Sequence, residues 1–396
     1  MIRFDFKTYV EPFLNEEKYQ KYMSQKKEIL EKFNQQESIG WTKKITDRKI
    51  KSILECRDEI KKHCNCLVVI GIGGSFLGSY AFSKMFDHYF FKNSFEVIYA
   101  GTTLSSQYLE ELQEYLMNKN FAINVISKSG NTMETEITYQ VLKSLLKRKY
   151  SEEEVKKRII ITTNMDSGPL REEAEKEGYT SFGIPRDIGG RYSFMTPAHL
   201  FPLSFHFDIE KIISGYYEGR KLMDQAYEYA VVRRVLFDQK KQIENFCVYE
   251  ENMTFFTEWL KQLFGETEGK KGVGIFPVST VHTRDLHSLG QFIQEGNKIV
   301  FETFIKVQES PYEIPYGKKS LHDWNNQVED AVMKAHFKGN VPCLQIQLKE
   351  RNEKTISSLI YFFQLAAAFS GFLFGVDPFN QPGVEVYKEE MKNNHK

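Results

Sequence analysis

The chain has 396 residues, with 53 lysines and arginines balanced by 53 aspartates and glutamates and with 41% hydrophobic residues. That is the length and composition of a globular protein of two ordinary domains, not of a disordered or fibrous chain. The zero formal net charge supplies no strong field for nucleic acid or an anionic membrane, so a small ligand suits the chain better.

The opening segment MIRFDFKTYVEPF carries Asp5 and lacks the apolar block and small-residue cleavage site of a secretory signal. Cys56, Cys64, Cys66, Cys247 and Cys343 are an odd set without disulfide-framework spacing, which predicts a reducing, cytoplasmic setting. Cys64 and Cys66 flank one residue beside His63, but zinc motifs use wider spacing and a second pair, so no metal ligand is assigned. The first forty or so residues read as a polar helical arm.

From Lys61 onward, short apolar runs alternate with helical patterns. CLVVI, FEVIYA from Phe95, FAINVIS from Phe121, RIIITTN from Arg158 and TSFGIP from Thr180 read as strands, separated by segments with helical spacing. This alternation predicts an α/β fold with a doubly wound parallel sheet, whose ligands bind at the carboxyl ends of the strands. Residues from about Asp208 to Gly265 read as helical throughout. A second alternating region follows, with strands at GVGIFPVS from Gly272, IVFETFIKV from Ile299 and PCLQIQL from Pro342. The longest apolar stretch, Tyr361 to Val376, is shorter than the roughly 20 residues a membrane crossing needs and contains Gln364 and Ser370, so it reads as a buried helix. The expected layout is an arm at 1–47, a first αβα domain at 48–205, a helical connector at 206–265 and a second αβα domain at 266–396.

Five segments carry the chemistry. VVIGIGGSFLGSYA, from Val68, breaks from a strand into glycines and opens a helix. Phe76 occupies the third glycine position of a dinucleotide fingerprint, and no G-x-x-x-x-G-K-[ST] string occurs. What remains is Gly74 and Ser75 at a helix amino end, where backbone N–H groups and the dipole favour an anion. In SKSGNTMETE, Ser127, Ser129 and Thr132 crowd the end of the next predicted strand but one beside Gly130; the same residues also suit helix capping. Two hydroxyl-bearing turns on one sheet favour a phosphorylated small molecule. DIGGRYSFMTP places two glycines ahead of Arg191, whose guanidinium stays charged and donates in a fixed fork. In TRDLHSLGQFIQEGNK, Gln291 and Glu295 lie one helical turn apart and share a face. GVDPFNQPGVEVYKEEM is a proline-punctuated loop opening a helix that carries Lys388.

Together IGIGGSFLG, SKSGNT, GGRYS, DLHSLGQFIQEG and DPFNQPGVEVYK resemble the phosphoglucose isomerase family, in that family's order and over nearly the whole span from Val68 to Met391. The resemblance implies two sugar-isomerase (SIS) domains, no metal or redox cofactor, and a homodimer with the active site at the subunit interface. It also implies interconversion of glucose 6-phosphate and fructose 6-phosphate through an enediolate. By position it puts Gly74, Ser75, Ser127, Lys128, Ser129, Gly130, Asn131 and Thr132 on the sugar phosphate. Arg191 falls on the charge of the intermediate, Glu295 on the proton moved between C2 and C1, Gln291 on a neighbouring substrate contact, and Lys388 at ring opening. The sequence departs from the family pattern at Arg186 and His199. No histidine stands between Glu295 and His322. His322 has the better spacing for the ring-opening histidine, His336 is the alternative, and His287 reads as helix packing or as a partner behind the substrate contacts. The competing reading is a regulator of the same domain type that keeps the phosphate grip without the chemistry.

Overall fold

The computed structural model describes residues 2–393, apart from the side chains of Tyr387, Lys388, Met391, Lys392 and Asn393. The strands are β1 (Ile2–Asp5), β2 (Cys66–Ile70), β3 (Glu96–Ala100), β4 (Phe121–Ile126), β5 (Ile159–Asn164), β6 (Thr180–Ile184), β7 (Ile243–Val248), β8 (Phe276–Val281), β9 (Val300–Glu309), β10 (Pro315–Tyr316), β11 (Lys319–Ser320) and β12 (Cys343–Glu350). The chain divides into two compact units, one from Glu37 to Glu210 and one made of the segments up to Gln36 and from Lys211.

In the Glu37–Glu210 unit, five parallel strands run in the order β3-β2-β4-β5-β6. The order reverses at β2, where a chain that first winds one way begins to wind the other. Every residue of β2 and β4 is buried, as expected when helices cover both faces of a parallel sheet. Val68, Ile70, Ile123, Val125 and Ile161 pack there with Leu142 and Leu146 of the helix Met133–Lys149.

The other unit holds a sheet in the order β1-β12-β9-β7-β8, parallel except for β1, which pairs antiparallel with β12. Two expectations are corrected here. The amino-terminal arm is not wholly helical: Ile2–Asp5 adds an edge strand, too short to show a period of its own. The segment 206–265 is not a purely helical connector either, because Ile243–Val248 is an inner strand. Its polar start hid it, since Glu244 is a charged residue in a buried strand. Fully buried Arg233 satisfies that charge, its Nε donating to Glu244 Oε2 at 2.7 Å while Nη2 donates to Glu268 Oε1 at 2.5 Å. Arg233 lies on the preceding helix, 11 residues before Glu244, a separation that neither helical nor strand spacing pairs.

The apolar helix Glu353–Leu373 is the one helix among the described residues with the length and composition to cross a membrane, and it is buried inside its own unit. Its Gln364 accepts a hydrogen bond from the Tyr216 hydroxyl at 2.6 Å.

Candidate active site

The carboxyl ends of β2 and β4 lie side by side, because Ile70 is in register with Val125. The chain leaving β2 bends through a tight turn at Gly73–Ser75 before the helix Leu77–Phe86. A Cβ at Gly74 would fall 2.3 Å from the carbonyl carbon of Gly190, so only glycine lets this turn press against the turn Gly190–Met195 that carries Arg191. Ser193 Oγ lies 3.1 Å from the Gly74 carbonyl and 2.6 Å from that of Gly190. The first and third motifs are therefore packed backbone against backbone and fastened by the Ser193 hydroxyl.

His199 locks that joint. The Ser79 N–H donates to Nδ1 at 3.0 Å, which leaves the proton on Nε2 to donate to the Gly74 carbonyl at 2.9 Å. The ring is completely buried, and burial lowers its pKa from 6.5 to about 4, so it is held neutral. The sequence marked His199 only as unusual at its position; the structure makes it the brace of the first turn.

The second motif leaves β4 at Ser127. Ser127 Oγ accepts the Gly130 N–H at 3.1 Å and lies 3.1 Å from Thr132 Oγ1. Ser129 Oγ accepts the Asn131 N–H at 3.3 Å. Gly130 has φ +73°, a left-handed conformation that glycine adopts without a steric penalty. No side chain caps the helix Met133–Lys149 at Thr132, and the partial positive charge of such a helix end attracts anions. Lys128 takes a different part from its neighbours, since its ammonium donates to the Arg186 carbonyl at 3.0 Å and the Ile188 carbonyl at 2.8 Å. It thereby fastens the second motif to the loop leading into the third. Arg186 itself pairs with Asp166 at the surface, 2.6 Å apart. Arg191 is buried, with its guanidinium 5.5 Å from the Tyr192 ring centre.

Three turns thus share one end of one sheet, with hydroxyls at Ser75, Ser127, Ser129 and Thr132. Sequence reasoning passed over one further group: Thr135 Oγ1, on the first turn of the same helix, is buried with no hydrogen-bond partner. A threonine three residues after Thr132 was the available signal.

Gln291 and Glu295 belong to the other unit, on the short helix Gly290–Glu295. The predicted shared face is present: Gln291 Nε2 donates to Glu295 Oε2 at 2.7 Å, and both side chains are exposed. Lys298 caps the helix, donating to the carbonyls of Ile293 at 3.2 Å and Gln294 at 2.6 Å. Gln294 Nε2 donates to the Ala335 carbonyl at 3.2 Å, tying the helix to Leu321–Lys338.

Of the histidines, His322 is partly buried at the start of that second helix, its Nε2 2.9 Å from the Gln308 carbonyl and 3.0 Å from Asn326 Nδ2. His336 is buried, and its Nδ1 donates to the fully buried Glu302 at 2.6 Å. It is a core partner there. His287 is exposed rather than packed within a helix. The backbone of Lys388 lies in the helix Gly383–Asn393, and its side chain lies outside the described residues.

The chain matches the family profile described as phosphoglucose isomerase over residues 42–323. It is 43% identical to the glucose-6-phosphate isomerase of Mycoplasmopsis pulmonis, with 96% of each chain covered, and 40% identical to that of Staphylococcus epidermidis, covering 89% of this chain and 86% of the relative. Among solved structures, a Thermus thermophilus protein described as hypothetical superposes with a TM-score of 0.82 at 25% identity, covering 100% of this chain and 99% of that one. A glucose-6-phosphate isomerase from Chlamydia trachomatis superposes with a TM-score of 0.78 at 21% identity, over 87% of this chain and 72% of that one, a likeness of fold. Matching profile and relatives over most of the chain place it in the phosphoglucose isomerase family.

Proposed function

We propose that this chain catalyses the reversible isomerisation of D-glucose 6-phosphate and D-fructose 6-phosphate. The observation that carries the reading is the 43% identity with a glucose-6-phosphate isomerase across 96% of both chains. Nothing among the comparisons favours the non-catalytic regulator.

In this reading the phosphate rests on the platform of Gly74, Ser75 and the Ser127–Thr132 turn, where hydroxyl and backbone N–H donors meet the end of a helix dipole. Lys128 serves the platform by holding its loop. Glu295 removes the proton from C2 of the open-chain sugar and returns it to C1, with Gln291 steering the carboxylate through the hydrogen bond it donates. The guanidinium of Arg191 offsets the oxyanion of the enediolate as it forms. His322 and Lys388 open the ring, and His336, committed to Glu302, is set aside. The enzyme works in the cytoplasm as a homodimer with its site at the subunit interface; family membership supports this, and five free cysteines agree with a reducing compartment.

A coupled assay that follows glucose 6-phosphate formed from fructose 6-phosphate tests the function. Turnover by the wild type and its collapse in Glu295→Gln are expected. Saturable substrate binding without product in the wild type would instead make the chain a sugar-phosphate binder. Sedimentation of the wild type as a single-chain species would remove the homodimer.

A further inference from the structure

Under the helix Gly290–Glu295, the sheet of its unit carries a buried group of side chains that isomerisation leaves unused. Cys247 on β7, His282 just beyond β8 and Glu302 on β9 are each 2% exposed or less. One ligand-type atom from each lies within 4.8 Å of the other two. Strand register brings them together. Asn245 stands beside Glu302 and Thr280 beside Cys247, so the two-residue alternation of β-strands puts Cys247 on the Glu302 side of the sheet. Cys247 Sγ lies 3.4 Å from Glu302 Oε1, and Thr280 Oγ1 is 3.1 Å from His282 Nε2 and 3.5 Å from Cys247 Sγ.

A second layer already orients these groups. Asn245 Nδ2 donates to Glu302 Oε1 at 3.0 Å and to Cys247 Sγ at 3.2 Å, and His336 Nδ1 donates to Glu302 Oε2 at 2.6 Å. The Asn245 amide and the His336 imidazole thus fix the Glu302 carboxylate and the Cys247 thiol from behind, as outer partners orient metal ligands. Hydrogen bonding alone leaves the group incomplete, because His282 Nδ1 is buried without a hydrogen-bond partner.

We propose that Cys247, His282 and Glu302 form a binding site for one Zn²⁺ per chain, with a water molecule in the fourth position. A thiolate, an imidazole and a carboxylate are the mixed donor set that zinc accepts in tetrahedral geometry. On binding, the metal takes a lone pair from one imidazole nitrogen, one carboxylate oxygen and the sulfur, and the thiol proton leaves to solvent. No electron changes hands. Cys343 stays outside the ligand set, since its Sγ is turned to the Val341 carbonyl at 3.3 Å and lies 3.9 Å from the Glu302 oxygen that His336 holds.

The test uses the full chain, stripped with a chelator and loaded with Co²⁺ or Zn²⁺ alone. One metal per chain should survive gel filtration, and the cobalt form should show tetrahedral ligand-field bands with a thiolate charge-transfer absorption. Cys247→Ser should lose the charge-transfer band and weaken binding by about tenfold or more, while Cys343→Ser keeps both. Zinc should raise the melting midpoint of the wild type and not that of Cys247→Ser. X-ray absorption of the zinc-loaded wild type, which needs no variant to fold, should show one sulfur neighbour. Substoichiometric metal, a shell without sulfur, or a charge-transfer band that persists in Cys247→Ser overturns the proposal.

Discussion

Replacing His199 by glutamine separates the bracing of the Gly74 turn from the protonation of the ring. Glutamine can still donate to the Gly74 carbonyl, but the buried Ser79 N–H loses the acceptor it now has at 3.0 Å. An unsatisfied buried donor costs about 1–3 kcal/mol, so at pH 7.5 the variant should be less stable by that amount. Acid changes the comparison. The His199 pKa is lowered from 6.5 to about 4 by burial, so its neutral form supports the fold at and above pH 6.5. That support fades as the pH falls toward 4, because the unfolded chain takes up the proton first. The whole gap is worth about 3 kcal/mol, most of it already lost at pH 4.5. Glutamine does not titrate, so the difference between wild type and variant should shrink from neutral pH to pH 4.5 and approach zero or change sign. Urea denaturation of both proteins at half-unit intervals measures it. Two stability curves that stay parallel across this range would refute a neutral, fully buried His199. Because the ring supports the turn at Gly74, the variant should also raise KM for fructose 6-phosphate more than it lowers kcat.

Glu295→Gln should lower kcat by about 10²–10⁴-fold or more while a phosphorylated sugar-acid inhibitor binds with nearly unchanged affinity by calorimetry; comparable losses in both would make Glu295 a binding residue only. Thr135→Val removes a buried hydroxyl that has no partner, so stability in urea should hold or rise by up to about 1 kcal/mol, and KM should rise if that hydroxyl serves the phosphate. Arg233→Met leaves Glu244 and Glu268 buried without their cation and should destabilise the protein by about 3–5 kcal/mol, read as a lowered denaturation midpoint.

Much of this protein is local in origin and therefore legible in the amino-acid order. Runs such as CLVVI and FAINVI are short, apolar and bounded by turn residues, which reads as buried strand, and the glycine and hydroxyl residues directly after them form the turns at the strand ends. The four-residue spacing of Gln291 and Glu295 places both on one helix face, and the 2.7 Å hydrogen bond follows from it. Other features exist only through partners on other elements of the fold. Glu244 becomes part of an inner strand because Arg233 and Tyr229 meet it inside the fold, and Ile2–Asp5 becomes a strand because β12 offers an unpaired edge. Lys128 sits among the hydroxyls of the Ser127–Thr132 turn, yet its charge goes to two carbonyls some 60 residues away. His336 was a candidate for ring chemistry until Glu302 was found opposite it. The sequence by itself determined most of the strands and helices of the Glu37–Glu210 unit, the motif order and the family, because spacing and residue type act within a few turns of chain. Tertiary structure alone decided which charged and polar side chains satisfy one another, since that depends on the neighbours that folding brings into a low-dielectric interior.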